Sequence, residues 1–127
     1  MPNIEVSNGD LADKISILEI KKLRLTNVEQ LKNVEQDLQA LTKQFTELKI
    51  SDEAKICYQK LYDVNEVIWD LMQKLFENDF QDTETFESVA KETVDCNMAR
   101  AHLKRNFDNL TSSRLVEEKS YFVEETG

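Results

Sequence analysis

Glycine and proline are nearly missing from this chain of 127 residues: glycine stands only at Gly9 and Gly127, proline only at Pro2. These are the strongest breakers of regular structure, so a chain without them in its interior reads as helical. With Gly9 the sole internal glycine, no glycine-rich loop can cradle a phosphate. Histidine is as scarce, at His102 alone. His102 sits off the seam, so no Ser-His-Asp or Cys-His arrangement is expected around it; without a second histidine or an acidic ladder no metal site is expected, and the inward Glu-x-x-His pairs of a di-iron bundle are missing as well. No metal and no cofactor are expected. Cys57 and Cys96 stand alone in helical patterns without a CxxC, as two free, half-buried thiols of a cytoplasmic protein would. No apolar run reaches eighteen residues, so no membrane span is expected. The opening MPNIEVSNGD lacks the basic and apolar regions of a signal peptide.

A basic surplus is missing too. The formal net charge is −9, which argues against wrapping nucleic acid or docking on anionic lipid. Between Phe76 and Asp95, Glu77, Asp79, Asp82, Glu84, Glu87, Glu92 and Asp95 oppose only Lys91. That stretch repels a polyanion.

What is present is helical periodicity. Hydrophobic residues make up 40% of the chain, enough for one domain with a real core. A first helix is expected from Ser7, with Asp10 completing a capping box, to about Leu25, its core face formed by Leu11, Ile15, Leu18 and Leu25. Leu31, Val34, Leu38, Leu41, Phe45 and Leu48 form a heptad seam, and Ala54, Cys57, Leu61, Val64, Ile68, Leu71 and Leu75 form another. Ser51 caps the helix that carries the second seam, with Asp52 and Glu53 in its first turn. Two seams so closely linked predict a long antiparallel hairpin over about 28–48 and 51–78. A parallel stripe of Tyr58, Tyr62, Asn65, Trp69, Met72 and Phe76 widens the apolar arc of the third helix and makes it the expected centre of the domain. Asp82 or Thr83 caps a fourth helix, to about Leu110, with Phe86, Val89, Thr93, Cys96, Arg100, Leu103, Phe107 and Leu110 on its face. The expected fold is a single all-α domain of four helices over residues 1–127, with a tail from 112 to 127 folded back.

Several polar residues break these patterns. Arg100 stands in a seam with Asn97 and Lys104 beside it, and Asn65 interrupts the aromatic stripe. Lys22 falls in the first seam, edged by Lys14 and Lys21. One reading is an anion site inside the bundle: Arg100 gripping a carboxylate or phosphate, with Lys14 or Lys104 adding charge and Asn65 and Asn97 orienting it. The concrete enzyme version is a chorismate-mutase-like site, for which Arg24 is the only second arginine at hand. The other reading is a structural network that snorkels its cations and fixes register. Ile17, Ile20 and Leu23 give the first helix a second apolar side, which suggests either deep burial or a subunit interface, with a homodimer the favoured expectation.

Three stretches, GDLADKISILEIKKLRL, VNEVIWD and NMARAHLKRNFDNLTSSRLVEEKSY, resemble an uncharacterised family of small bacterial and phage proteins. That family opens with a D-K-x-[ST]-I-L-E-I-K string and closes with S-x-L-V-E-E-K-S-Y. It has no established activity, so the resemblance supplies no mechanism. It implies which residues to follow: Lys14, Glu19 and Lys21; Asn65, Trp69 and Asp70; Asn97, Arg100 and Lys104; and Ser113, Glu117, Glu118, Lys119 and Tyr121. Met98 departs from the small acidic residue of the pattern, which weakens an acid role there. The closing EEKSY is expected to fold back as a latch, with Glu117 or Glu118 on Lys14, Lys21 or Arg100 and Tyr121 over the bundle. Deleting Glu117 to Gly127 would then lower the melting temperature by several degrees.

The function expected is that of a non-catalytic, cytoplasmic helical bundle acting through oligomerisation or protein–protein contact. The alternative is a bundle or enzyme that binds a small anionic metabolite in a cationic interior.

Overall fold

A computed structural model describes residues 6–78 and 83–112. It contains four helices: α1 (Asn8–Arg24), α2 (Val28–Thr46), α3 (Asp52–Asn78) and α4 (Thr83–Leu110). The all-α, four-helix domain is the one expected, and the helix limits fall within two residues of the expected ones.

The ends are set by local chemistry. Ser7 Oγ accepts the Asp10 N–H at 3.0 Å, and Ser51 Oγ accepts that of Ala54 at 3.2 Å; both serines satisfy amides that have no carbonyl partner within their helix. Asn27, which the periodicity did not single out, does the same for Gln30 at 3.0 Å and starts α2. Lys21, Lys22 and Arg24 lie in the last turn of α1, where cations favour the helix dipole.

The packing order differs from the sequence expectation. The hub is α1, which packs against each of the other three helices, while α3 packs on α4 and on α1. Between α2 and α3 no Cα pair among the described residues comes within 8 Å. The two seams therefore do not close on each other as a tight hairpin: α2 lies against α1, and α3 turns its broad arc to α1 and α4. Small residues explain the preference. Gly9, Ala12 and Ser16 sit buried on α1 and admit neighbouring backbones where larger side chains would hold them off. A Cβ at Gly9 would collide with the Lys104 carbonyl oxygen and the Asp108 carboxylate of α4.

The core joins Ala12 of α1 with Ala54, Cys57 and Leu61 of α3 and Phe107 of α4. The second helix enters it by its C-terminal end alone. Phe45 stacks on Phe107 with ring centroids 5.9 Å apart and meets Tyr58 at 5.4 Å. Elsewhere Val34 is the only buried residue of α2.

Candidate functional site

Polar residues gather where α1 crosses α3 and α4. Asp13 is 3% exposed and lies at the centre of the cluster. Arg100 of α4 binds it in bidentate fashion, Nε to Oδ1 at 2.8 Å and Nη2 to Oδ2 at 2.5 Å. Asn65 of α3 donates from Nδ2 to Asp13 Oδ1 at 2.9 Å and to Ser16 Oγ at 2.7 Å. Ser16 in turn donates to the Asp13 carbonyl at 2.7 Å. Burial alone would raise the Asp13 pKa, but the hydrogen bonds from Arg100 and Asn65 and the charges of Arg100 and Lys104 outweigh it and hold the carboxyl below its ordinary value. A carboxylate so stabilised is a poor base and a strong anchor.

One turn nearer the start of α1 the arrangement repeats. Lys104, 7% exposed, pairs with Asp10 at 2.8 Å. Asp108, 1% exposed, accepts the Gly9 N–H and so caps α1 from another helix. Asn8 Nδ2 donates to Thr111 Oγ1 at 3.0 Å. The first two turns of α1 are thus clamped to α4 by three carboxylates.

Arg100 and Asn65, picked out by their seam positions, do share a site, and Lys104 stands one helical turn away. The anionic group they hold is the chain's own Asp13. Asp13 escaped the sequence reading although its spacing offered a signal. Continued backwards, the second apolar side of α1 passes from Leu23 and Ile20 to Ser16 and Asp13, two polar residues on an inward stripe. Asn97 is half-buried one turn before Arg100 and takes no part in the hydrogen bonds to Asp13. Glu19 lies apart from this cluster, accepting from Tyr58 Oη at 3.1 Å. Burial, then the charge and hydrogen bond of Glu19, push the Tyr58 hydroxyl well above its ordinary pKa. The expected latch residues Ser113, Glu117, Glu118, Lys119 and Tyr121 lie outside the described residues.

The remaining candidates form a surface. A groove of about 660 Å³ between α1 and α3 is lined by Ile17, Ile20, Ile68, Trp69, Met72 and Phe76, with Asn65 and Arg100 at its floor. Ile20 is 1% exposed and belongs to the core, whereas Leu23 at 73% and Phe76 at 82% stand in solvent. Arg24, on the rim, binds Asp70 at 2.8 Å and Glu66 at 3.5 Å, so it is a surface tie between α1 and α3 and not a second interior arginine. That tie also gives Asp70 its place. Lys22, expected in a seam, is exposed and pairs with Glu35 of α2 at 3.2 Å.

On the other side of Ile17 a second cleft, about 370 Å³, runs between α1 and α2. It is lined by Lys14, Ile17, Leu18 and Lys21 of α1 and by Asp37, Ala40 and Leu41 of α2.

The family model for the family of unknown function DUF6165 matches residues 2–126. The chain belongs to that family. No curated protein and no solved structure matches it. Membership in a family of unknown function agrees with the resemblance to an uncharacterised family and brings no activity with it.

Burial pushes both thiols up, Cys57 most simply and Cys96 with help from Glu92 and Asp95; neither is an activated nucleophile. Both are free. Among the described residues no group of three metal-ligating side chains occurs, and no helix is long and apolar enough to cross a membrane.

Proposed function

We propose that the protein is a non-catalytic interaction module that binds another polypeptide on the outer face of α1. The observation that carries this reading is a contrast along one helix. Inward, Asp10 and Asp13 are paired with Lys104 and Arg100. Outward, Ile17 lines both of two grooves, of about 660 and 370 Å³, and Lys14 and Lys21 line the smaller one. Apolar area left open beside charge is characteristic of a docking surface. Charge complementarity names the occupant as a polypeptide with acidic side chains, since this face concentrates lysine in a chain of net charge −9.

The anion-binding bundle is the weaker reading because the Arg100 fork already holds Asp13 through two of its nitrogens.

The test is site-specific photocrosslinking in the native host, with a photoreactive phenylalanine analogue at Ala40 or Met72 and, as control, at exposed Glu29 on α2. Discrete polypeptide adducts from positions 40 and 72 but not 29 are expected. No adducts, or the same adducts from all three positions, overturn the proposal.

A further inference from the structure

Taking that face as the docking surface, we infer that its partner presents an amphipathic α-helix bearing two carboxylates seven residues apart, which lies along the α1–α2 cleft and pairs with Lys14 and Lys21. The inference deepens the reading above and rests on it.

Three observations carry it. The first is spacing. Lys14, Ile17, Leu18 and Lys21 fall at i, i+3, i+4 and i+7, one complete helical face with a cation at each end and two apolar residues between. The two lysines are separated by about 10 Å along the axis, at 1.5 Å per residue. That is too long a span for one carboxylate and matches a Glu-x-x-φ-φ-x-x-Glu face on a second helix, where φ is apolar.

The second observation is electrostatic. Lys22, Arg24, Arg100 and Lys104 all have carboxylate partners within the chain. Lys14 and Lys21 have none within 4.0 Å among the described residues, although both border one cleft. Asp37, the carboxylate of the opposite wall, pairs with neither. Other lysines, Lys32 and Lys43 among them, also lack an ion pair among the described residues; what sets Lys14 and Lys21 apart is that both line one cleft.

The third is the apolar lining. Ile17, Leu18 and Leu41 are half-buried and Ala40 is exposed, so the cleft keeps apolar surface between its two charges. The second helix packs on α1 without backbone contact to α3, and this leaves the groove open on its outer side. A helix laid in it would bury apolar residues at the centre and pair charges at the flanks, as in other helix-in-groove recognition.

The experiment uses the full chain and three synthetic helical peptides. One carries Glu seven residues apart with leucines between; one has lysine in place of the glutamates; one has the glutamates five residues apart. Binding is read by fluorescence anisotropy and by methyl shifts of Ile17 and Leu18. The Glu i,i+7 peptide is expected to bind best. The Lys14→Glu/Lys21→Glu variant should weaken it about tenfold and should prefer the lysine peptide, a reversal that only direct charge pairing produces. Circular dichroism confirms that the variant keeps its helices. Equal binding of all three peptides, or equal binding to wild type and variant, overturns the inference, and so does no binding. If photocrosslinks persist in any of those cases, the docking face stands and only its acidic-helix partner falls. Sedimentation equilibrium covers the remaining occupant: a homodimer dispersed by the double variant overturns the inference in favour of a second copy of the chain.

Discussion

The two sides of α1 show what the same residue types do in different surroundings. Towards α4 and α3, Asp13, Arg100, Asn65 and Ser16 lie in a largely buried crossing where polar groups reach their partners through hydrogen bonds of 2.5–2.9 Å. Towards α2, Lys14 and Lys21 line an open cleft and have no partner at ion-pair distance among the described residues. Burial is the difference. An unpaired charge inside the bundle would be strongly destabilising, so every inward cation has its carboxylate. At the surface water solvates the ammonium groups, and they are left available for exchange with a ligand. The inward side holds the fold, and the outward side carries the recognition we propose.

The sharpest way to break this contrast is to remove a partner from each side. Asp13→Ala strands Arg100 and Asn65 and should cost about 3 kcal/mol, towards the lower end for a broken buried pair because Arg100 keeps some access to water. Lys14→Ala and Lys21→Ala should each change stability by less than about 0.5 kcal/mol. Urea titration of the three variants checks both; a loss at the lysines equal to that at Asp13 would erase the distinction.

Gly9→Ala probes the same side through sterics. The added methyl meets the Lys104 carbonyl and the Asp108 carboxylate, and forcing α1 off α4 should cost about 2 kcal/mol, in the range for overpacking. A melt unchanged from wild type would show that the two helices can separate freely there.

The smallest effect expected is a pH dependence. The folded-state pKa of Asp13 is lowered below 3.8, with the Arg100 and Asn65 hydrogen bonds overcoming the burial that opposes them. Its contribution is therefore complete above the unfolded value of about 3.8 and is lost as pH falls through the lower folded value. Melts between pH 7 and pH 2.5 should show Asp13→Asn losing less stability in acid than wild type. Parallel curves for the two proteins would remove Asp13 from the acid response.

Much of this was legible beforehand, for local reasons. Ser7 and Ser51 announce helix starts because a cap needs only its own next three residues. Arg100 and Asn65 stand out because one polar residue in an apolar period is visible without any neighbour. Asp13 was hidden by its position beside Lys14 in a string of mixed charge, where a solvated face is the ordinary reading. The partnering of α2 was hidden for a different reason. Its leucine seam and the one on α3 have the same period, and a period tells that a face is covered without telling by what.

By itself the sequence determined four helices, their ends and the polar residues that interrupt their apolar faces, because these depend on backbone propensity and on spacing within a turn or two. Only the tertiary structure decided that α1 is the hub, that Asp13 holds Arg100 across 87 positions, and that Lys14 and Lys21 line one cleft without an ion-pair partner among the described residues. Those outcomes depend on how far each helix is rotated and shifted against its neighbours. That register is settled by side-chain volume at the crossings, above all the small residues Gly9, Ala12 and Ser16, which let α1 approach the backbones of α3 and α4.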